Sequence, residues 1–216
     1  MPKKETIIVF GAHSDDFVIG AGGTIAKYTQ EGKRVLSIVF SYGEKSHVWL
    51  KQAVIKKVRA KEAMAAGKIL RCRVHFFDLR EGHFAEDFEK QGLEHEMLKL
   101  FEKEKPTKLF VHSFEDHHPD HKASHRLVLQ LLEAYAGQPK PELYTYSVWN
   151  PVSFRTRYPA LYVNVSATFA KKLKALQAFR SQRLHIIYPF FLLLFRAVIN
   201  GIRIRTWCAE RFFRIQ

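Results

Sequence analysis

Short apolar runs alternate along this chain with longer stretches in which apolar positions recur at helical spacing. The apolar runs show little of the in-out alternation of a strand with one face in water, so they indicate strands buried on both faces. Such strands are typical of a parallel sheet that is covered by helices on both sides. The predicted strands are residues 6–10, 35–40, 74–77, 109–111, 143–148 and 161–165.

Helical periodicity fills most of the gaps between these runs. Gly32 follows the first helical stretch and Pro106 follows the third, and both residue types commonly end helices. Because strand and helix alternate without a repeat or a linker, the pattern predicts a single α/β domain over residues 1–216 with a mostly parallel sheet. The predicted helices are residues 18–30, 50–70, 93–104, 121–135 and 169–180.

Composition narrows the class of protein. Hydrophobic residues make up 47% of the 216 residues, which excludes a disordered chain and allows a sizeable core. The formal net charge of +14 favours an anionic partner. No helix-turn-helix, zinc-finger or RNP pattern accompanies this charge, so a nucleic-acid partner is not expected.

The start of the chain and its cysteines predict a cytoplasmic location. The first apolar run begins a few residues after Met1, which leaves no room for a signal peptide. The longest apolar run, residues 186–195, contains Pro189 and is shorter than the ~20 residues of a membrane-spanning helix. Cys72 and Cys208 are far apart and form no disulfide framework, as is usual in a reducing compartment.

The strongest chemical signal is Gly11-Ala12-His13-Ser14-Asp15-Asp16, directly after the first predicted strand. His13 and Asp16 are three residues apart on a tight strand-to-helix turn, where both side chains can reach one metal ion. Asp15 between them is expected to point differently, toward a water molecule that it can deprotonate as a general base. Taken alone, the cluster fits a carboxylate that caps a helix N-terminus better than a metal site.

A second cluster, His117-His118-Pro119-Asp120-His121, follows another predicted strand. Parallel sheets bind ligands at the carboxyl ends of their strands, so the two clusters are expected to build one site. Here His118, Asp120 and His121 are all candidates for a third protein ligand, and three ligands plus water form a hydrolytic zinc site. The donor types would also admit Fe²⁺ or Co²⁺. With both clusters present, capping alone becomes the weaker interpretation.

The two clusters resemble the signature motifs of the LmbE-like, or PIG-L, family of zinc-dependent N-deacetylases, which usually read Ala-His-Pro-Asp-Asp-Glu and His-Pro-Asp-His. The resemblance implies a Rossmann-like three-layer sandwich and the removal of an acetyl group from an N-acetylglucosamine-type glycoconjugate, with release of acetate and a free amine. Weaker similarities cover nearly the whole chain. They are residues 20–23, Arg59 with Glu62-Ala63, Glu81-Gly82, Lys174 with Ser181-Gln182, and residues 209–212.

Carried over residue by residue, the resemblance assigns one zinc ion per chain to His13, Asp16 and His121. It makes Asp15 the general base. His118 would stabilise the oxyanion or protonate the leaving amine, and Asp120 would orient His118.

Further residues of these similarities are candidates for substrate binding. Arg59 could reach the substrate or be one more charge on a solvated helix face. Glu81 follows the third predicted strand. Gly22 and Gly23 would let the backbone approach either a sugar or an opposite strand.

Two positions depart from the family motif. Ser14 replaces the usual proline and Phe17 the usual glutamate. Since neither position holds an expected ligand or the base, the metal site is expected to survive. The lost glutamate could change the rigidity of the turn, the activity or the substrate. His112 and His117 lie beside the second cluster, and His112 directly follows the fourth predicted strand, so it could line the pocket. Both histidines are nevertheless expected to serve the structure rather than the metal.

Two alternative functions remain open. One is a pseudoenzyme that keeps the metal for binding only, although Asp15 argues against it because binding has no use for a base. The other is a basic protein that binds anionic ligands or nucleic acid and whose histidines are incidental.

The C-terminal segment, residues 184–216, is both basic and apolar. One interpretation is a final helix that packs on the sheet with its arginines in water. The other is an interfacial patch that holds the enzyme on an anionic membrane, near a lipid-linked or phosphorylated sugar.

Overall fold

The computed structural model describes residues 4–46, 51–149, 157–182 and 190–216. Its strands are β1 (Thr6–Gly11), β2 (Arg34–Val39), β3 (Arg73–Phe76), β4 (Pro106–His112), β5 (Glu142–Tyr146), β6 (Ala160–Asn164) and β7 (Ala209–Arg214). Its α-helices are α1 (Asp16–Gln30), α2 (Gln52–Leu70), α3 (Phe84–Lys90), α4 (Leu93–Glu104), α5 (Pro119–Ala134), α6 (Phe169–Leu176) and α7 (Phe190–Arg203).

The strands form a sheet in the order β3-β2-β1-β4-β5-β7-β6. β1 to β5 pair in parallel, whereas β7 is antiparallel to its neighbours β5 and β6. β2 and then β3 are added on one side of β1, and the chain then crosses back so that β4 pairs with the other side of β1. This arrangement confirms the predicted α/β class with a mostly parallel sheet.

Alternate residues of β1 face two different hydrophobic cores. Ile7 and Val9 pack in the core beneath α1, α2, α6 and α7, whereas Ile8 and Phe10 pack in the core beneath α3, α4 and α5. All four side chains are at most 1% exposed. Because both faces of the strand are covered, its sequence is continuously apolar, and the molecule has the three layers of helix, sheet and helix.

Most predicted elements are confirmed with shifted ends, but two were missed. α3 is only seven residues long, too short to show helical periodicity. In the C-terminal segment, α7 is the helix that was expected, while the expectation of helix is wrong for β7, which enters the sheet between β5 and β6. Residues 184–189 of that segment lie outside the described residues. Within the part of the chain that is described, no helix is long and apolar enough to cross a membrane.

The sheet topology fixes where a site can form. β1 and β4 are neighbours, yet their following helices, α1 and α5, lie on opposite faces of the sheet. The loops after the two strands therefore diverge and leave a crevice at the carboxyl end of the sheet, where open α/β sheets bind ligands.

Candidate metal centre and active site

Both predicted clusters converge on this crevice. His13 and Asp15 occupy the loop between β1 and α1, and Asp16 begins α1. His118 caps α5, and Asp120 and His121 belong to its first turn. Asp16 and His121 are at most 3% exposed, so the base of the crevice is dry.

His13 lies at the centre of a ring of carboxylates. Its Nε2 atom is 3.1 Å from Asp120 Oδ2 and 3.6 Å from Glu81 Oε1, and its Nδ1 atom is 3.4 Å from Asp16 Oδ2. Burial lowers the pKa of His13, but Asp120 and Asp16 outweigh burial and raise that pKa to about 10. A cation at this position is therefore strongly stabilised.

Asp16 joins the two clusters. Its Oδ2 atom accepts a hydrogen bond from the His13 backbone N–H at 2.7 Å and lies 3.4 Å from His121 Nε2. Burial opposes its ionisation, yet the positive charge that His121 carries and the ring of His112 hold the pKa of Asp16 well below its usual range. The carboxylate is thus available as an ionised ligand.

His121 is fully buried, and its ring lies between two carboxylates. Nδ1 is 3.1 Å from Asp116 Oδ1, while Nε2 faces Asp16. Burial lowers the pKa of His121, but Asp16 and Asp116 raise it to about 9. Neither ring nitrogen completes a well-directed hydrogen bond among the described residues. A buried nitrogen in this state fits a metal ligand.

Asp116 is the functional residue that the sequence analysis missed. It is fully buried and accepts hydrogen bonds from the backbone N–H groups of His118, Val148 and Trp149. These bonds fix its carboxylate beside His121, as is usual for the partner of a metal-bound histidine. Its position two residues before the His-Pro-Asp-His motif was the available signal.

Asp120 does not take the place that the resemblance implied. Its carboxylate accepts a hydrogen bond from the Gly82 backbone N–H at 2.8 Å and faces His13. Its backbone N–H donates to His118 Nδ1 at 3.2 Å, and its negative charge also acts on the His118 ring. His118 is the N-cap of α5, so its ring folds back over the first turn while the Asp120 side chain points across the crevice. The Asp120 carboxylate therefore pairs with His13, while the backbone N–H of Asp120 holds the ring of His118.

His118 is held as a neutral hydrogen-bond donor. Because Nδ1 accepts from Asp120 N, the proton of the neutral ring resides on Nε2. Burial lowers the pKa of His118, and the positive charges on His13 and His121 lower it further.

His112, the last residue of β4, lies at the centre of the site, in line with its position after the fourth predicted strand. Its ring stacks on that of His121 with centroids 3.8 Å apart, and its Nε2 atom is 3.0 Å from Ala12 N and 3.2 Å from Asp16 Oδ2. Burial lowers its pKa to about 4, so the ring is neutral. His117, in contrast, is exposed and lies outside the cluster.

The donor set fits a divalent cation. Asp16 Oδ2 lies 3.4 Å from a nitrogen of each of the other two predicted ligands, His13 and His121. Among the described residues, however, these three together are not one of the groups whose ligand atoms all lie within 4.8 Å of one another. In the structure the carboxylates hold a proton on each histidine, and an ion of charge +2 can replace both protons. Three overlapping groups of residues bring ligand atoms close enough to share an ion: His13 with His118 and His121, Asp16 with His112 and His121, and His13 with Glu81 and Asp120.

Asp15 is a buried carboxylate whose pKa is raised. It is 8% exposed and lies at the N-cap position of α1, where its side chain makes no capping hydrogen bond. Burial first, and then the charge of Asp16, raise the pKa of Asp15 to about 6. A carboxylate with such a pKa can accept a proton near neutral pH.

Arg59 is not on a solvated helix face, since it is only 4% exposed. Its guanidinium donates to the backbone carbonyls of Tyr42 and Gly43, in the loop after β2. The positive charge of Arg59 acts on Asp15 and lowers the pKa of that carboxyl, against the larger effect of burial. Glu81 borders the crevice, and its Oε2 atom accepts from Lys45 N at 2.6 Å.

Gly22 and Gly23 are not brought to the crevice. They are buried within α1, where an added Cβ would meet Lys172 Cγ at 3.0 Å and Val165 Cβ at 2.9 Å respectively. Close packing of α1 on α6 and on the end of β6 therefore accounts for both glycines.

The two departures from the family motif are both accommodated. Ser14 and Phe17 are completely buried, and Phe17 belongs to the hydrophobic core on the α1 side of the sheet. A position that is usually acidic in the family motif is therefore occupied by a core residue in this chain.

Curated proteins of two activities are similar to this chain. It is 29% identical over 84% of its length to 4-oxalmesaconate hydratase from Pseudomonas putida, of which it covers 75%. It is 25% identical over 83% of its length to a Bacillus cereus protein described as "Probable N-acetyl-alpha-D-glucosaminyl L-malate deacetylase 2", of which it covers 84%.

A solved structure shares the whole architecture. The N,N'-diacetylchitobiose deacetylase from Pyrococcus horikoshii superposes with a TM-score of 0.79 and 22% sequence identity, over 98% of this chain and 84% of that chain. At this level of identity the likeness shows the fold.

The family match covers more than half of the chain and both motifs. Residues 8–132 match the family described as "PIG-L: GlcNAc-PI de-N-acetylase". They run from β1 through α5 and so include every residue of the crevice described above. The chain belongs to the PIG-L family.

Proposed function

We propose that this protein is a metal-dependent N-deacetylase that releases acetate from an N-acetylated amino sugar, as part of a glycoconjugate. The observation that carries the proposal is the convergence of both family motifs on one buried His/Asp cluster with Asp15 beside it. The family match and the deacetylase among the relatives support the reaction class.

Zinc is the proposed metal, one ion per chain, with Fe²⁺ or Co²⁺ as substitutes that the same donors would accept. His13, Asp16 and His121 would hold it, and Asp120 and Asp116 would orient the two histidines. When bound, zinc supplies Lewis acidity, which polarises an amide carbonyl and acidifies water.

Asp15 supplies the base in this mechanism. Its carboxylate takes the proton from the attacking water, so that a C–O bond forms at the amide carbon while the carbonyl π electrons move to oxygen. Burial and the neighbouring Asp16 raise the pKa of Asp15 toward neutrality, which lets it return the proton to the departing nitrogen. The C–N bond then breaks to give acetate and the free amine.

His118 stabilises the oxyanion. Its Nε2–H can donate to the negative oxygen of the tetrahedral intermediate, because Nδ1 is already engaged by Asp120 N. Because its pKa is lowered, less of the His118 ring is protonated near neutral pH and able to give a proton to the amine, so the oxyanion role is the better of its two implied roles.

The features that would bind the substrate are proposed from the charge and position of the residues concerned. Glu81 borders the crevice and can accept hydrogen bonds from sugar hydroxyls, while Arg59 shapes the loop after β2 and its charge acts on Asp15. The net charge of +14 suits a phosphorylated or lipid-linked sugar. Cys72 and Cys208 are free, which fits a cytoplasmic setting.

Acetate release tests this proposal. Zinc-loaded protein is incubated with a panel of N-acetylglucosaminyl conjugates, and acetate and free amine are measured together with the Asp15→Asn variant as control. Equal amounts of acetate and free amine from the wild-type protein, and neither product from the Asp15→Asn variant, would support the deacetylase. A metal-loaded protein that binds a conjugate without releasing acetate would instead be the pseudoenzyme.

The hydratase relative supports a second candidate, the addition of water to a carbon–carbon double bond of an unsaturated carboxylic acid. Its 29% identity over 84% of the chain is the observation that favours this activity. The same base and metal site could deliver water to an activated alkene. Loss of the ultraviolet absorbance of a conjugated dicarboxylic acid, without acetate release from the conjugates, would decide for the hydratase.

A further inference from the structure

Helix α7 turns an apolar stripe toward solvent. The stripe has the spacing i, i+3, i+4, i+7, i+8 and i+11, which places its members on one side of a helix. Phe191 is 75% exposed, Phe195 60% and Ile202 65%. The stripe consists of Phe191, Leu194, Phe195, Val198, Ile199 and Ile202.

The opposite side of α7 packs against the rest of the chain. Leu193 and Ala197 are buried in the core on the α1 side of the sheet. At Gly201 a Cβ would lie 2.6 Å from the Thr206 carbonyl oxygen, so the chain after the helix packs closely against it. The helix therefore packs on the rest of the chain through a narrow face formed by Leu193, Ala197 and Gly201. Its wider apolar face is exposed.

Basic residues and an aromatic ring border the stripe. Trp207 is 85% exposed, and Arg203 and Arg205 at the end of the helix are exposed as well. From residue 190 to the end of the sequence, Glu210 is the only acidic residue. It is buried and paired with Lys172 Nζ at 2.6 Å, so it does not neutralise the surface.

A cavity of about 240 Å³ opens beside the same helix. Arg196, Arg203 and Arg211 line it together with the stripe residues Phe195 and Ile199. Among the described residues, Arg203 and Arg211 form no ion pair; Arg203 donates to Tyr162 Oη at 3.3 Å and Arg211 lies over the Phe213 ring. Cationic groups and apolar surface thus occur together on one side of the molecule.

We propose that this side of α7 docks on the surface of an anionic lipid bilayer. The stripe and Trp207 enter the boundary between headgroups and acyl chains, while the arginines bind lipid phosphates. A second copy of the chain fits less well, because a symmetric contact would bring the same arginines together. At 14 residues, α7 lies in the membrane plane rather than crossing the bilayer.

Hydrogen bonds link α7 to the loop behind the candidate active site. Arg196 donates to the Val148 carbonyl at 3.2 Å, and the Val148 N–H donates to Asp116, the partner of His121. A substrate anchored in the bilayer would therefore be within reach of the crevice. This last step rests on the proposed deacetylase function, whereas the docking itself does not.

Co-sedimentation with lipid vesicles tests the docking. The probes are vesicles of phosphatidylcholine alone and of phosphatidylcholine with phosphatidylserine, each at low and high salt. The wild-type protein should bind the anionic vesicles and lose binding as salt screens the arginines. Phe195→Glu with Ile202→Glu should abolish binding, and Arg203→Gln with Arg205→Gln should weaken it about tenfold.

A matched control separates docking from general effects of added charge. Val54 and Met64 on α2 are 46% and 52% exposed, and Val54→Glu with Met64→Glu should leave vesicle binding unchanged. Equal circular dichroism spectra and melting temperatures of both double variants show that each is folded.

Three results would overturn the proposal. They are no binding of the wild-type protein to anionic vesicles, binding that survives Phe195→Glu with Ile202→Glu, and sedimentation of the wild-type protein as a dimer that those two substitutions dissociate. The last result would assign the stripe to a contact between copies. Acetate release from a soluble conjugate does not depend on any of these outcomes, so the docking and the proposed function can fail separately.

Discussion

At the scale of single residues, the crevice is an acidic site within a basic protein. Asp15, Asp16, Glu81, Asp116 and Asp120 surround two histidines, although the whole chain carries a formal net charge of +14. Such a concentration of carboxylates is stable only with cations among them. Protons on His13 and His121 fill that need in the structure, and a metal ion would fill it in the proposed enzyme.

Asp15→Asn should separate catalysis from metal binding. The amide keeps the size of the side chain but cannot take a proton, so turnover should fall by about 10²–10⁴-fold. Metal content, measured by mass spectrometry after gel filtration, should stay at one ion per chain because Asp15 is not a proposed ligand. Near-normal turnover of this variant would contradict the mechanism, whereas loss of metal would move Asp15 into the ligand set.

Metal affinity should rise steeply with pH. Against the effect of burial, Asp120 and Asp16 raise the pKa of His13 to about 10. Asp16 and Asp116 likewise raise the pKa of His121 to about 9, so both rings are expected to hold protons at pH 7. A metal ion must displace these protons, which becomes easier as pH rises. Zinc titrations between pH 6 and 8 should show affinity increasing by about 100-fold per pH unit, because two protons are displaced for each ion bound. A pH-independent affinity would show that protonated histidines are not the ligands.

Asp116→Asn tests the residue that lies behind His121. The neutral amide no longer supports the ring through a charge, so zinc affinity should fall by about 10–100-fold. Asp78→Asn is a suitable control, since Asp78 is an exposed carboxylate that pairs with Lys56 and lies outside the cluster. An unchanged affinity in Asp116→Asn would leave Asp116 with a role in holding the loop after β5 only.

At the scale of elements, a buried ion pair joins the helices on one face of the sheet to β7. Lys172 on α6 donates to Glu210 on β7 at 2.6 Å and to the Ile19 carbonyl on α1 at 2.7 Å. Glu210 also accepts from the backbone N–H groups of Gly23 and Thr24. A Cβ at Gly23 would lie 3.2 Å from Glu210 Oε1, so the glycine at this position of α1 allows the close approach.

Glu210→Ala should therefore be strongly destabilising. It leaves Lys172 buried without its partner, a loss that typically costs about 3–5 kcal/mol. Urea unfolding of this variant can be compared with Glu89→Ala, which removes an exposed glutamate on α3. The Lys172→Met, Glu210→Met double variant should recover part of the loss, because no charge is then left buried. A loss below about 1 kcal/mol in Glu210→Ala would mean that Lys172 finds another partner or reaches water.

The sequence predicted elements well where burial left a clear pattern. The strands of the parallel core are covered on both faces, so their apolar runs revealed them. β7 reads Ala209-Glu210-Arg211-Phe212-Phe213-Arg214, and its buried Glu210 is explained only by Lys172, far away in the sequence. Similarly, His112 ends a strand and is brought against His121 by the β4–α5 loop, which no local spacing shows.

The sequence predicted the candidate site about as completely as it predicted the helices and strands. His13, Asp15, Asp16, His118 and His121 were found because each family motif is short and its members are brought together by one turn. The direction in which Asp120 points depends on the N-cap of α5 and on Gly82, so it required the structure. The packing role of Gly22 and Gly23 likewise follows from contacts with α6 and β6.

At the scale of the whole molecule, the chain carries a formal net charge of +14, whereas the crevice itself is acidic. The surface field should gather anionic substrates, while Glu81 and Asp120 near His13 would repel an anionic group from the reacting centre. These two effects are compatible if the anionic group of the substrate lies outside the crevice and a neutral N-acetyl group enters it. A sugar with a phosphate or a lipid phosphate at its far end has this distribution of charge.

This distribution predicts a salt dependence that differs between substrates. For a phosphorylated N-acetylglucosaminyl conjugate, kcat/KM should fall as ionic strength rises, because screening over about 8 Å at physiological salt weakens the attraction of the surface. For a neutral conjugate of similar size it should change little. Rates of acetate release across a salt series, with soluble substrates so that no membrane is involved, provide the comparison. Parallel curves for the two substrates would mean that the charge of +14 acts elsewhere than in substrate capture.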